Sequence, residues 1–408
     1  MWKWQKIQTM SRKAKLIGLF LLAFPFFCFT QEKEKTKISF IETEYMIGKL
    51  IPNQLIKHFP KTNAQQAFSL SVGGKSLDTN KWGKYYNFPE SGIMAVYSDL
   101  GNDKIFGQMI NVLPYVSFNI LNKFPGKTSL KIGAGVSYFN TIFDSINNPI
   151  NEVIGSHFTW DVKVFLYHQI FQSNKFKLKA GLGFSHESNG HTKLPNLGAN
   201  SYLFSLAGQF ANKKHDDFKT PTRIKRGNIS PKKHFINAQQ GYGFHEQDGS
   251  EGPLTGRSKP VYSSSIAVGT IFNNHLKLRA GLVYRFYEQF NAHVTENEVE
   301  GLSDNPTSAA SNVILFVGNE FLMSHFAIDV RFGVNLHKPF YRKFNEEEDA
   351  GTVLRKLFSS RIGMNFYLKN TNKLPKSNFF IGAHINANMA KADFTEFSLG
   401  YSYILNKN

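Results

Sequence analysis

HFAIDVRFGVNL, residues 325–336, has an apolar side chain at every second position from Phe326 to Leu336. Most of the intervening positions are polar or glycine, including Asp329 and Arg331. Side chains of a β-strand point alternately to its two faces, so this segment predicts a strand with one apolar and one polar face. Residues 275–286 show the same alternation. Both segments have about 10–12 residues, a length typical of a tilted strand that crosses a bilayer.

Alternating segments recur through the chain and predict an all-β protein of about 14–16 strands. The predicted strands cover residues 37–48, 66–74, 90–98, 105–121, 126–138, 156–170, 175–188, 199–211, 232–243, 261–272, 275–290, 311–322, 325–336, 355–368, 376–388 and 394–405. Short connections such as 172–175 and 273–275 alternate with long ones such as 243–260 and 291–311. This alternation is typical of an outer-membrane barrel, whose short turns are periplasmic.

We therefore predict a transmembrane antiparallel β-barrel. A soluble β-sandwich is the alternative, but it does not require alternating loop lengths. The basic segment 213–234 fits poorly, because it falls where a short turn is expected. Two arrangements stay open for residues 212–408: these strands either enlarge one barrel or form a second unit.

The first 30 residues have the pattern of a secretory signal peptide. Five basic residues precede an apolar run from Leu16 to Phe27, and a polar sequence begins at Gln31. The apolar run is shorter than the ~20 residues of a membrane-spanning helix. We predict a signal peptide over residues 1–30 and an exported barrel over residues 31–408, located in the outer membrane of a Gram-negative bacterium.

Composition restricts the chemistry and the partners. Loss of residues 1–30 would remove Cys28, which is the only cysteine, and reduce the formal net charge from +18 to +13. An exported chain without cysteine has no disulfide or thiol chemistry. A basic exported surface favours anionic lipid headgroups of the outer-membrane bilayer as partners, rather than nucleic acid. No metal site and no cofactor are expected from the sequence motifs.

The most polar turn between two predicted strands is GFSHESNGHTKLPNLGANSY, residues 183–202. Alternation from Phe184 places His186 and Ser188 on the lipid-facing side, and alternation back from Tyr202 places Asn200 there too. The same alternation directs Glu187 into the barrel interior.

A histidine and a serine two residues apart on one strand face can act as general base and nucleophile. Loop lengths place this end of the strand at the outer leaflet, where an activated serine would meet the acyl esters of lipopolysaccharide. His191 lies in the turn, where a solvated side chain is expected. The HESNGH spacing differs from that of a helical zinc motif. The acidic segment 248–252 lacks the ligand spacing of a calcium loop.

The same stretch resembles the PagL-type lipid A 3-O-deacylases, outer-membrane esterases built on an eight-stranded barrel. The resemblance covers residues 65–211 and depends on HESNG at 186–190, PN at 195–196, Gly198, and NS at 200–201. It implies that His186 is the general base and Ser188 the nucleophile. It further implies that Asn189 and Asn196 stabilise the oxyanion or order the loop.

One position departs from the family pattern. The acidic residue that orients the histidine in the family falls at Asn200. An amide oxygen can fix the imidazole tautomer but cannot stabilise imidazolium by charge.

The resemblance predicts a lipid A deacylase with lipopolysaccharide as substrate, without specifying the acyl chain removed. A non-enzymatic porin or transport barrel is the first alternative, because lysines at 175–179 would suit an anion-conducting lumen. An outer-membrane phospholipase is the second alternative.

Overall fold

The computed structural model of the protein describes residues 37–77, 82–121, 128–213, 232–247, 258–346, 349–389 and 391–405. These residues form sixteen antiparallel strands, each of which overlaps one of the sixteen predicted segments. The first eight are β1 Lys37–Leu50, β2 Gln65–Ser76, β3 Glu90–Asp99, β4 Gln108–Leu121, β5 Thr128–Phe139, β6 Phe158–Gln172, β7 Phe176–Ser188 and β8 Ala199–Ala211. The others are β9 Lys233–His245, β10 Lys259–Phe272, β11 Leu276–Tyr287, β12 Ser311–Met323, β13 Phe326–His337, β14 Phe358–Tyr367, β15 Ser377–Asn388 and β16 Lys391–Ile404.

The strands close into two barrels of eight. β1 pairs with β8 to close the first barrel, and β9 pairs with β16 to close the second. The predicted all-β barrel architecture is confirmed, and the strands after residue 213 form a separate closed unit. Alternation alone could not distinguish one large barrel from two small ones, because it indicates which face of a strand a side chain occupies but not which strands pair with each other. Residues 214–231 of the basic segment lie outside the described residues.

The interior of the first barrel contains paired charges packed among buried apolar and aromatic side chains. The buried Glu42 carboxylate forms ion pairs with Lys131, at 2.9 Å, and with Lys179. Lys177 lies 3.4 Å from Glu90. An eight-stranded barrel has an interior just wide enough for side chains. Of the three lysines that suggested an anion-conducting lumen, Lys177 and Lys179 are therefore paired with carboxylates, whereas Lys175 is exposed at the end of the barrel.

The second barrel has an interior of the same kind, built on arginines. Asp329 pairs with Arg279 and lies 3.0 Å from Arg361, which also contacts Glu396 at 2.7 Å. These side chains are all buried. Each charge therefore has an opposite charge within contact distance, as burial of ionised groups requires.

The outward faces are apolar. On β7 and β8, Leu182 and Phe204 are each 56% exposed, and on β12 Val317 is 62% exposed. An outward apolar band opposite a polar interior is the arrangement of a transmembrane barrel. The alternation predicted from the sequence is thus confirmed on these strands. None of the described helices is long and apolar enough to span a membrane.

Most long connections lie at one end of the barrels, the long-loop end, which includes residues 51–64, 140–157, 189–198 and 288–310. The α-helices of the described chain lie here: α1 Glu288–Glu296, α2 Pro306–Ala309, α3 Pro339–Phe344 and α4 Ala350–Leu357. The connection between β15 and β16 is an exception with only two residues. The acidic segment 248–252 lies outside the described residues.

The opposite end, the short-turn end, contains 3-10 helices at Trp82–Tyr86 and Thr371–Lys373. Here the ring of Tyr85 from the first barrel stacks on His275 of the second, with ring centroids 4.0 Å apart. The two barrels therefore contact each other at the short-turn end.

Candidate active site

Pairing of β7 with β8 brings the predicted histidine and asparagine together. His186 lies directly opposite Asn200 in the register, and Nδ1 of the imidazole is 2.8 Å from the Asn200 Oδ1. An amide oxygen only accepts hydrogen bonds, so the imidazole proton is on Nδ1. In the neutral ring this leaves the lone pair on Nε2, which is the form that a general base requires.

Ser188 is the last residue of β7 and is only 7% exposed. Its Oγ accepts hydrogen bonds from the Gly190 backbone N–H and from Asn196 Nδ2, each at 3.2 Å. Both contacts use lone pairs of the hydroxyl oxygen, and neither uses its proton. The serine oxygen is therefore held in place by two donors while its proton stays available for transfer.

The two predicted asparagines have different contacts within residues 189–198, the site loop. Asn189 donates from Nδ2 to the Lys193 carbonyl, at 2.6 Å, and accepts at Oδ1 from the Thr192 N–H, at 3.1 Å. Its own backbone N–H donates to Asn196 Oδ1, at 2.9 Å. The Asn189 side chain thus orders the loop, whereas Asn196 connects the loop to Ser188.

Gly198 allows the site loop to pass over the histidine ring. Its φ of +77° lies in the left-handed region that favours glycine. A Cβ at this position would lie 3.0 Å from His186 Cε1. The Gly198 N–H donates to the Val153 carbonyl, at 3.1 Å. This end of the loop is therefore anchored on the β5–β6 connection.

Two other polar residues of the stretch point elsewhere. Glu187 is buried in the barrel interior, 3.0 Å from Lys163, as its alternation predicted. His191 was expected to be solvated, but it is buried, and its ring centroid lies 5.1 Å from that of His245 in the second barrel. The expectation failed because the partner surface comes from strands far along the chain.

Three residues beside the site were not singled out from the sequence. Trp160 lies opposite Ser188 in the β6–β7 register, and its Nε1 donates to Thr395 Oγ1 at 2.9 Å. Glu246 accepts from the backbone of Leu194, at 2.6 Å. Trp160 could have been found as an aromatic at the end of a neighbouring strand. No sequence pattern relates Thr395 or Glu246 to the site, because both belong to the second barrel.

Comparisons with known families agree with the division into two barrels. Residues 66–208 match the family model of lipid A 3-O-deacylase (PagL). Residues 234–407 match the model of the acyloxyacyl hydrolase C-terminal domain. The matched ranges cover most of the first and second barrels, respectively. A comparison with curated proteins returned no significant match.

Solved structures similar to the chain are outer-membrane barrels of low identity. The autotransporter NalP translocator domain from Neisseria meningitidis is 9% identical, with 96% of this chain and 95% of that chain covered and a TM-score of 0.16. A BenF-like porin from Pseudomonas fluorescens Pf-5 is 9% identical, with coverages of 91% and 98% and a TM-score of 0.20. OccAB4 from Acinetobacter baumannii is 8% identical, with coverages of 90% and 97% and a TM-score of 0.20.

Proposed function

The chain belongs to the family of PagL-type lipid A 3-O-deacylases and acyloxyacyl hydrolases, and from this we propose that it is an outer-membrane serine esterase that deacylates lipid A. The observation that carries the proposal is the hydrogen bond from His186 to Asn200 beside a serine two residues along the same strand face. This arrangement supplies a base of fixed tautomer next to a nucleophile.

In the proposed reaction, Ser188 Oγ attacks the carbonyl carbon of an ester-linked acyl chain while its proton passes to His186 Nε2. The tetrahedral intermediate collapses to an acyl-enzyme when the sugar oxygen leaves with that proton. Water then attacks the acyl-enzyme with His186 again acting as base, which releases the fatty acid and restores the serine. Asn200 holds the ring orientation throughout because its Oδ1 accepts a hydrogen bond from Nδ1–H.

The donors that contact Ser188 Oγ also suit the negative charge of the intermediate. The Gly190 N–H and Asn196 Nδ2 both approach the serine oxygen, so they lie beside the position that an oxyanion bonded to the same carbon would occupy. Preorganised donors of this kind typically contribute about 10²–10³-fold to turnover each. Asn189 supports them by ordering the loop.

The surroundings of the site favour an anionic lipid as substrate. Phe184 and Tyr202, on the same outward faces as the site, are exposed and present an apolar surface to acyl chains. Lys49 is exposed on the outward face of β1 and pairs with Tyr202 in the register, and Lys193 is exposed in the site loop. Two cations beside an apolar surface suit a phosphorylated lipid such as lipid A.

The proposed function also implies a location for the protein in the outer membrane. Residues 1–30, proposed as an export signal, lie outside the described residues. Export would deliver the two barrels to the outer membrane with the long-loop end, and hence Ser188, at the outer leaflet.

The proposal is tested with purified protein and lipid A in detergent micelles. Wild type should release a fatty acid and react with a fluorophosphonate at Ser188, detected by peptide mass spectrometry. Ser188→Ala should lose both, whereas the control Ser264→Ala, at an exposed position on the second barrel, should lose neither. Release from glycerophospholipid but not from lipid A would favour the phospholipase alternative, and no release from either would contradict the proposal.

A further inference from the structure

The site loop is held by the second barrel as well as by the first. Thr395 Oγ1 of β16 donates to the Asn189 carbonyl, at 3.2 Å. The backbone N–H of Glu246 donates to the His191 carbonyl, at 3.1 Å, and its carboxylate accepts from the Leu194 N–H, at 2.6 Å. Three hydrogen bonds therefore join the loop that contacts Ser188 to a barrel encoded by a separate part of the chain.

Thr395 occupies a point where three segments meet. Its buried hydroxyl accepts from Trp160 Nε1 on β6 while donating to the Asn189 carbonyl in the site loop. Gly190, with a φ of +63°, approaches so closely that a Cβ there would lie 2.5 Å from Thr395 Oγ1. The residue whose N–H contacts Ser188 is thus packed directly against this hydroxyl.

Glu246 fixes the other part of the loop. It is buried, and it contacts both His191 and Leu194, so that one residue spans a turn of the loop. A charged acceptor makes a stronger hydrogen bond to a backbone N–H than a neutral one does. Loss of this carboxylate would leave the Leu194 N–H without its acceptor in a largely closed environment.

We propose that Thr395 and Glu246 are positioning residues through which the second barrel sets the turnover of the esterase site. The inference rests on the proposed function. Neither residue touches the reacting atoms; both fix the backbone that presents the Gly190 N–H and Asn196 Nδ2 to Ser188. Catalysis by fixed donors is sensitive to displacements of about 1 Å, which can reduce the rate about 100-fold. The strands of the first barrel close without those of the second, but hydrogen bonds from the second barrel hold the site loop of the first.

The test compares full-length variants for kcat and KM with lipid A. Thr395→Val should lower kcat about 10- to 100-fold with little change in KM, because the loss falls on the transition state rather than on substrate binding. Thr395→Ser keeps the hydroxyl and should restore kcat. Thr307→Val, at an exposed position on the same end of the second barrel, is the matched control and should equal wild type.

Glu246→Ala should produce the same selective loss of kcat, with Glu300→Ala at an exposed position as its control. Heat-modifiable gel mobility establishes that each variant retains folded barrels. Unchanged kcat in both Thr395→Val and Glu246→Ala would overturn the proposal. Equal losses in Thr395→Ser and Thr395→Val would also overturn the role of the hydroxyl.

Two further readouts do not depend on lipid A. The rate of fluorophosphonate labelling at Ser188 should fall in Thr395→Val and recover in Thr395→Ser. In a chain with Trp82→Phe and without residues 1–30, Trp160 is the remaining tryptophan, and its emission should shift in Thr395→Val alone. If wild type does not hydrolyse lipid A, the proposed function fails. If the labelling rate and the Trp160 emission are also the same in Thr395→Val as in wild type, the positioning role of Thr395 is refuted independently of the proposed function.

Discussion

Replacement of Asn200 by aspartate should increase turnover, because it adds a negative charge beside the histidine without changing the shape of the side chain. The hydrogen bond from His186 Nδ1 to Asn200 Oδ1 is 2.8 Å long, which places the centres of the two charges about 4 Å apart when imidazolium forms. At that separation the attraction is about 1 kcal/mol in bulk water and about 4 kcal/mol at a protein surface. Both side chains are half-buried, so the gain should lie within this range.

Each 1.36 kcal/mol is tenfold in rate, so Asn200→Asp should raise kcat between about fivefold and about a thousandfold. The assay is fatty-acid release from lipid A under single-turnover conditions. Asn147→Asp adds the same charge at an exposed position of the long-loop end and should leave kcat unchanged. If Asn200→Asp folds normally and reacts no faster than wild type, the reasoning on imidazolium stabilisation is refuted.

Three further predictions concern local geometry and stability. Gly198→Ala should lower kcat about 10- to 100-fold, because its Cβ would lie 3.0 Å from His186 Cε1; an unchanged rate in a folded variant would show that the ring tolerates the shift. Glu42→Gln should reduce the free energy of unfolding in urea by about 3 kcal/mol, because it breaks buried ion pairs with two lysines. Burial lowers the pKa of His275 below its ordinary value of 6.5, so its contribution to stability should be present above that pH and decrease as the pH falls below it. His275→Phe removes this titration but keeps an aromatic ring on Tyr85. Between about pH 7.5 and about pH 5.5, the range in which histidine titrates, the midpoint of thermal unfolding should therefore decrease less in His275→Phe than in wild type.

The strands were predictable from the sequence because membrane barrels require a side chain of defined polarity at each alternate position. The segment that ends in Leu336 shows this pattern without interruption, and the structure contains β13 there. Closure was not predictable, because it depends on which edges pair. The pairing of β1 with β8 ends the first barrel before β9 begins, and alternation within strands is identical for one large barrel and two small ones.

The same alternation predicts an outward placement of His186, Ser188 and Asn200, and the register of β7 with β8 brings the histidine and the asparagine together. What the sequence could not show is the environment contributed by the second barrel. Thr395 lies more than 200 residues from Asn189 and has no distinctive motif around it. His191 was therefore expected in solvent although it is buried against His245.

The most direct test of the central claim is the mass of lipid A from a lipopolysaccharide-bearing strain that expresses the protein. Wild type should produce lipid A that lacks one ester-linked hydroxyacyl chain, and Asn200→Asp should increase the converted fraction. Ser188→Ala, expressed to the same level in the outer membrane, should leave lipid A at its full mass. Full-mass lipid A from both wild type and Asn200→Asp would contradict the account, as would deacylation that persists in Ser188→Ala.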